Sequence, residues 1–191
     1  MSSRKNVLPA KLISVLALLT LAVPAAVCQL TSNTASVALK ATLGESLTVA
    51  ATPSAVTIPL TSGGTATGTS PVAITTTWVL SATRTAVTLV GYFASATAAL
   101  TDGAPTPNNI PASEVLGQMT TGTPASFTAF TQTAPLGAAG AGLTLFTQAL
   151  SGTNRTANRT DNLNLEINLA SQPQLPAGTY TGTLNIQAQA L

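Results

Sequence analysis

Between Asn162 and Leu169 the chain reads Asn-Leu-Asn-Leu-Glu-Ile-Asn-Leu, polar and apolar in strict alternation. A period of two does not fit one face of a helix. It fits a strand with one buried side, because successive side chains leave a strand on opposite faces. Leu163, Leu165, Ile167 and Leu169 form the inner row. A second run closes the chain over 179–190, with Tyr180, Leu184, Ile186, Ala188 and Ala190 on one side. Thr179, Thr181, Thr183, Asn185, Gln187 and Gln189 take the other. Ser171 to Gly178, which carries Pro173, Pro176 and Gly178, joins the two runs, and an antiparallel hairpin is expected.

Similar patterns precede them. Strands are expected over 34–41, 45–51, 72–80, 86–93, 114–119, 125–132 and 143–150, with Ile74, Thr76, Trp78 and Leu80 sharing one face. Val56 to Ile58, between Pro53 and Pro59, suits a short edge strand because proline cannot donate to a ladder. The glycine-bearing stretches 61–70 and 136–142 and the proline-bearing 101–109 read as loops. No stretch of ten residues after the first 28 has a helical period, and no fixed-length repeat suggests a solenoid or propeller. The expected fold is all-β: one antiparallel β-sandwich, immunoglobulin-like or pilin-like, over residues 29–191.

The first 28 residues have the layout of a secretory signal peptide. Arg4, Lys5 and Lys11 precede the uncharged apolar run Leu12 to Val23, and Pro24 then breaks the helix that run would form. Ala26 and Cys28 place small side chains where a signal peptidase needs them, so cleavage between Cys28 and Gln29 is expected, with a cut after Ala25 as the alternative. The uncharged stretch to Val27 is shorter than the roughly 20 residues a spanning helix needs, so no stable transmembrane span is expected. Acylation of Cys28 is a further alternative, although Val27 and Ala25 depart from the usual lipobox. The product is expected outside the cytoplasm: extracellular, at the cell surface, or periplasmic.

Removing that leader changes the electrostatics. Four bases (Lys40, Arg84, Arg155, Arg159) then face five acids (Glu45, Asp102, Glu114, Asp161, Glu166), a net charge of −1. No basic patch remains for nucleic acid, whose binding needs several Lys or Arg contacts to phosphates. The remaining chain also has neither histidine nor cysteine. Metal centres need clustered His, Cys or carboxylates, and a serine nucleophile needs a base that is most often His. No catalytic, metal or cofactor site is therefore expected. Glu114 and Asp102, the two acids on irregular segments, are the one candidate pair for glycosidase-like chemistry. Charged residues make up only 6% of the chain while 34 residues are threonine, which points to a solvent face built from Thr, Asn and Gln.

Two aromatic residues are candidate ligand contacts. Trp78 and Tyr92, together with Tyr180, would serve a sugar-stacking platform, against the competing expectation that Trp78 packs in the core beside Ile74 and Leu80. Asn154-Arg155-Thr156 and Asn158-Arg159-Thr160 match the N-glycosylation pattern. Their expected meaning is an exposed loop ahead of a strand starting at Asn162, with both arginines solvated. Alternating threonines at Thr65, Thr67, Thr69 and at Thr179, Thr181, Thr183 are reminiscent of ice-binding surfaces, which need such rows on neighbouring strands.

The segment Leu175-Pro176-Ala177-Gly178-Thr179-Tyr180-Thr181-Gly182-Thr183-Leu184-Asn185-Ile186 resembles the ending of bacterial secreted surface β-sandwich domains, the spore coat protein U-like and fimbrial-subunit-like families. The likeness covers about a dozen residues; the chain departs from pilins in lacking the usual disulfide cysteines and a clear free N-terminal donor strand, a role for which Thr34 to Ala41 is the candidate. It implies a non-enzymatic structural or assembly protein, a fibre or coat subunit that pairs with itself or with other surface proteins at a sheet edge. A polysaccharide-binding module is the alternative, and an ice-binding or glycosidase-like protein the remote one.

Overall fold

A computed structural model describes Ser32 to Leu191, so the leader and the Cys28–Gln29 junction lie outside the described residues. The chain divides into two units, Met1–Ala41 and Thr42–Leu191. In the first, residues 32–41 form no regular secondary structure and all are exposed. The strand expected at 34–41 is therefore absent. Alternation lets a segment line a face, but a strand also needs a partner for its backbone groups.

The second unit is an all-β sandwich. Its strands are β1 (Ser46–Thr52), β2 (Thr65–Thr67), β3 (Val72–Val79), β4 (Ala86–Tyr92), β5 (Leu100–Thr101), β6 (Asn109–Ile110), β7 (Val115–Met119), β8 (Thr128–Ala129), β9 (Leu143–Ala149), β10 (Thr156–Asn168) and β11 (Asn185–Ala190), with a 3-10 turn at Ala112–Glu114. One sheet runs β1-β3-β10-β7-β8, all antiparallel, and β2 continues the ladder on β10 beyond the end of β3. The other runs β11-β4-β9, and β5 and β6 form a small ribbon.

The core lies between the two larger sheets. Ile74, Thr76 and Trp78 of β3, with Leu80 just beyond it, and Leu163 and Ile167 of β10 are buried from one side. Val87 and Leu89 of β4 meet them from the other. Phe130 fills the space between a glycine of each sheet: a Cβ on Gly117 would lie 2.7 Å from its ring, and one on Gly91 2.9 Å. Phe93 meets Phe130 edge-on, with ring centroids 5.5 Å apart at 87°. A bulge in β9 leaves Leu145 without a partner on β4, so that consecutive residues Leu145 and Phe146 are both buried.

Several expectations are corrected by the pairing. The two cleanest alternating runs do not form a hairpin: β10 is central to one sheet, and β11 pairs with β4 in the other. Regular pairing begins only at Asn185, since Thr179–Leu184 is held by a single bridge, Thr181 to Thr101. Part of 61–70 is strand rather than loop, because Thr65–Thr67 finds an open edge on β10. Val56–Ile58 forms no strand; Thr57 only accepts one backbone bond, 3.0 Å, from Thr69. Over 125–132 only Thr128–Ala129 pairs. Most consequentially, β10 starts at Thr156, six residues before Asn162.

Candidate interaction edge and cleft

The early start of β10 redirects its arginine. Arg159, Asp161 and Leu163 alternate on the inner face, and Asp161 is buried. Arg159 donates to both carboxylate oxygens of Asp161, Nε at 2.5 Å and Nη2 at 2.7 Å. Its guanidinium carbon stands 4.6 Å above the centre of the Phe146 ring. The ion pair raises the Arg159 pKa further above its ordinary value. Arg155 is likewise engaged, its Nη1 donating to the carbonyls of Ser81 and Arg84 at 2.5 and 2.9 Å. Neither arginine is the solvated loop residue that the sequence suggested. Asn154 also serves the structure, with Nδ2 donating to the Ala149 carbonyl and Oδ1 accepting from the Ser151 amide.

The two aromatic candidates are not brought together. Trp78 is 2% exposed and faces the core, with its indole N–H donating 2.8 Å to the Asn154 carbonyl. That burial corrects its candidacy as a ligand contact. Tyr92 is half-buried at the end of β4, opposite Asn185 in the other sheet. No joint platform exists. The acid pair fares similarly. Asp102 accepts from Asn108 Nδ2 at 2.7 Å and from the Ala104 and Asn108 amides, which hold its pKa below the ordinary carboxylate value. Glu114 accepts from the Ser171 hydroxyl. Among the described residues no group of three or more His, Cys, Asp or Glu gathers into a metal site, and no helix is long and apolar enough to cross a membrane.

What the fold does present is an open edge. β1 is the terminal strand of its sheet, and no described residue pairs with its outer side. Its seven residues, Ser-Leu-Thr-Val-Ala-Ala-Thr, contain no charge, proline or bulge, the usual protections of an edge strand. Leu47 and Val49 point inward but remain half-exposed, because β1 and β11 lie beside each other across the two sheets without joining hydrogen bonds. Just before β1, Glu45 accepts from Arg84 Nη2 at 3.1 Å and from the Ser81 amide at 2.7 Å. These partners pull its pKa from 4.5 to about 2.

The gap beside β1 widens into a cleft of about 410 Å³. One wall is Ala51 to Ile58, the other Tyr180 to Ile186, and Val115, Leu165 and Ile167 form the floor. The second wall is fixed by reciprocal Thr101–Thr181 backbone bonds of 2.9 Å and by the Tyr180 hydroxyl, which donates to the Pro176 carbonyl at 2.8 Å. Gly182 is pressed so closely on the Ala99 carbonyl that a Cβ there would overlap it. The lining is mainly apolar and carries no charged side chain.

The outer face of the larger sheet is a further feature not read from the sequence. Pairing aligns Thr48 with Thr77 and Asn158, Ala50 with Thr75 and Thr160, and Thr52 with Ala73 and Asn162. Thr75 and Thr160 share a hydroxyl–hydroxyl bond of 2.8 Å. Of the threonine rows foreseen from sequence, Thr65 and Thr67 do join this face through β2, while Thr179 to Thr183 lies outside any regular strand. The signal was present as period-two Thr, Ser and Ala in β1 and β3, but which strands adjoin is a long-range fact.

The fold therefore defines an antiparallel β-sandwich in which β1 and β11, terminal strands of the two sheets, both lack charge, proline and bulge, with an apolar cleft beside them. Compared with protein-family models, curated proteins and solved structures, the chain matches none.

Proposed function

We propose that the protein is a non-enzymatic structural subunit exported to the cell exterior or surface, where copies associate by pairing strands at a sheet edge. The observation that carries this reading is β1: seven exposed-edge residues with no charge, proline or bulge. An edge of this kind templates another strand, and folded proteins ordinarily block it. The adjoining sheet face supports close approach of copies, since Glu166 is the one charged residue among its outward strand positions. The test is molar mass by light scattering across a wide concentration range, with Thr48→Lys/Ala50→Lys as the edge-blocked variant. Concentration-dependent association that the lysines weaken supports the reading. A monodisperse monomer at the highest concentration, without fibres by electron microscopy, overturns it.

One observation favours a second reading. Threonine-bearing rows on β1, β3 and β10, spaced by the roughly 4.8 Å between strands, offer an uncharged patterned face to an ordered surface such as ice. Ice-recrystallisation inhibition that is lost in Thr77→Lys would support it. Unhindered crystal growth in the presence of the protein removes it.

A further inference from the structure

We propose that the cleft binds one uncharged amphiphile, its single alkyl or acyl chain laid along the apolar floor and its hydroxyl-bearing head at the mouth. The site lies wholly within the second unit and does not depend on edge pairing. Its floor has a direction. Val72 of β3 stands opposite Leu163 of β10, and Val115 of β7 stands opposite Ile167, four residues further along β10. From Val72 to Val115 the floor crosses two strand spacings of about 4.8 Å and advances about 3.3 Å for each residue, a diagonal of roughly 16 Å. A cleft of about 410 Å³ is of the size that holds a small molecule. Drawn out along that diagonal, it has room for one linear chain and none for a second.

Both walls are fixed, so the trough does not need an occupant to keep its shape. The Val56–Ile58 wall is strapped to the larger sheet: the Gly68 amide donates to the Leu165 carbonyl at 2.8 Å and the Thr69 amide to the Thr57 carbonyl at 3.0 Å. A Cβ on Gly68 would lie only 2.8 Å from Val56. The facing wall is tied at Thr101–Thr181 and pressed on Ala99 at Gly182. Val56, Ile58, Leu165, Leu184 and Ile186 are thereby held apart with their apolar side chains half-buried. Water along such a surface finds few partners, and its release drives an alkyl chain into place.

The lining selects the head as well. No Lys or Arg lines the cleft to pair with a carboxylate or phosphate. An acid stands beside the Tyr180 wall instead: burial, and then the Asp102 charge, raise the Tyr180 pKa above its ordinary value. An anionic head is disfavoured there. Ser54, Thr181 and Thr183 line the cleft and are exposed, which places hydroxyls at its mouth for an ester or hydroxyl head.

The experiment titrates protein recovered from expression of the full chain with monolaurin below its micellar range, by calorimetry, alongside laurate and net-neutral phosphatidylcholine vesicles. Monolaurin is expected to bind saturably, one per chain, with a negative heat-capacity change. Laurate is expected to bind about tenfold or more weakly, and the vesicles not at all. Ala51→Trp and Ala55→Trp, at exposed lining positions, fill the trough and should each weaken monolaurin binding about tenfold or more, with far-UV circular dichroism unchanged. Thr48→Lys/Ala50→Lys, on the outer face, should bind like wild type. Protein that stays monomeric yet binds monolaurin removes the assembly reading and supports the site. No saturable binding, or affinity undiminished in both tryptophan variants, overturns the site. Laurate bound as tightly as monolaurin overturns the choice of head. Flotation with the vesicles in place of monolaurin binding makes the cleft a membrane contact and overturns the single-chain occupant. Affinity that falls as wild-type protein concentration rises, but not in Thr48→Lys/Ala50→Lys, assigns the cleft to a second copy and likewise overturns it.

Discussion

Arg159 and Asp161, two residues apart on the inner face of β10, form a two-pronged ion pair whose shorter contact is 2.5 Å. The Asp161 carboxylate also accepts from the Thr121 hydroxyl at 3.1 Å. The carboxylate is buried, so the pair is not one of the exposed contacts that contribute little. Removing one member strands the other charge in a poorly solvated place. Asp161→Ala is expected to destabilise the fold by about 3 kcal/mol, measured by urea unfolding. Arg159→Met, which removes the cation but keeps apolar cover on Phe146, should cost less than Arg159→Ala.

The fit of Phe130 between Gly91 and Gly117 leaves no room for a methyl group on either. Gly117→Ala is expected to cost about 1–3 kcal/mol through overpacking. Phe130→Leu should be less damaging in that background than in wild type. A double-mutant cycle by thermal or urea unfolding reads the coupling.

Glu45 gives a pH dependence with a defined sign. Its folded pKa, about 2, lies below the ordinary 4.5. The stabilisation is therefore complete above about pH 4.5 and is lost as pH falls toward 2. The melting-temperature difference between wild type and Glu45→Gln should be largest at neutral pH and shrink through that window. Asp102, also held below its ordinary value, acts in both proteins and leaves the comparison unaffected. A difference that stays constant from pH 6 to pH 2 would contradict this assignment.

Trp78 is the single tryptophan, so its fluorescence reports one environment. Burial predicts blue-shifted emission, weak acrylamide quenching, and no response to a panel of soluble polysaccharides. Trp78→Phe should cost about 2 kcal/mol, from lost volume and the unpaired Asn154 carbonyl.

The faces of individual strands were legible from period-two spacing. Ile74, Thr76, Trp78 and Leu80 all point inward as expected, as do Leu163 and Ile167. What spacing cannot encode is which strand meets which, because that depends on residues far apart in the chain. Hence β10 and β11, adjacent in sequence and both cleanly patterned, have the look of a hairpin and yet lie in different sheets. The true start of β10 was hidden because Arg159 and Asp161 occupy inner positions normally filled by apolar residues. The cleft was illegible for the same reason as the pairing. Its walls come from the 50s and the 180s and its floor from Val115, Leu165 and Ile167, and no local pattern joins them.

The position of β10 has a kinetic consequence. Its thirteen residues supply the ladder for β2, β3 and β7 alike, yet they follow all three of those strands in the chain. Until Thr156 and its successors emerge, β3 has only β1 to pair with and its apolar inner face has no completed sheet. Closure must then wait for long-range encounters, which are slow because loop entropy is lost before contacts form. A nascent chain of this design stays an open polymer for longer than one whose central strand is made first.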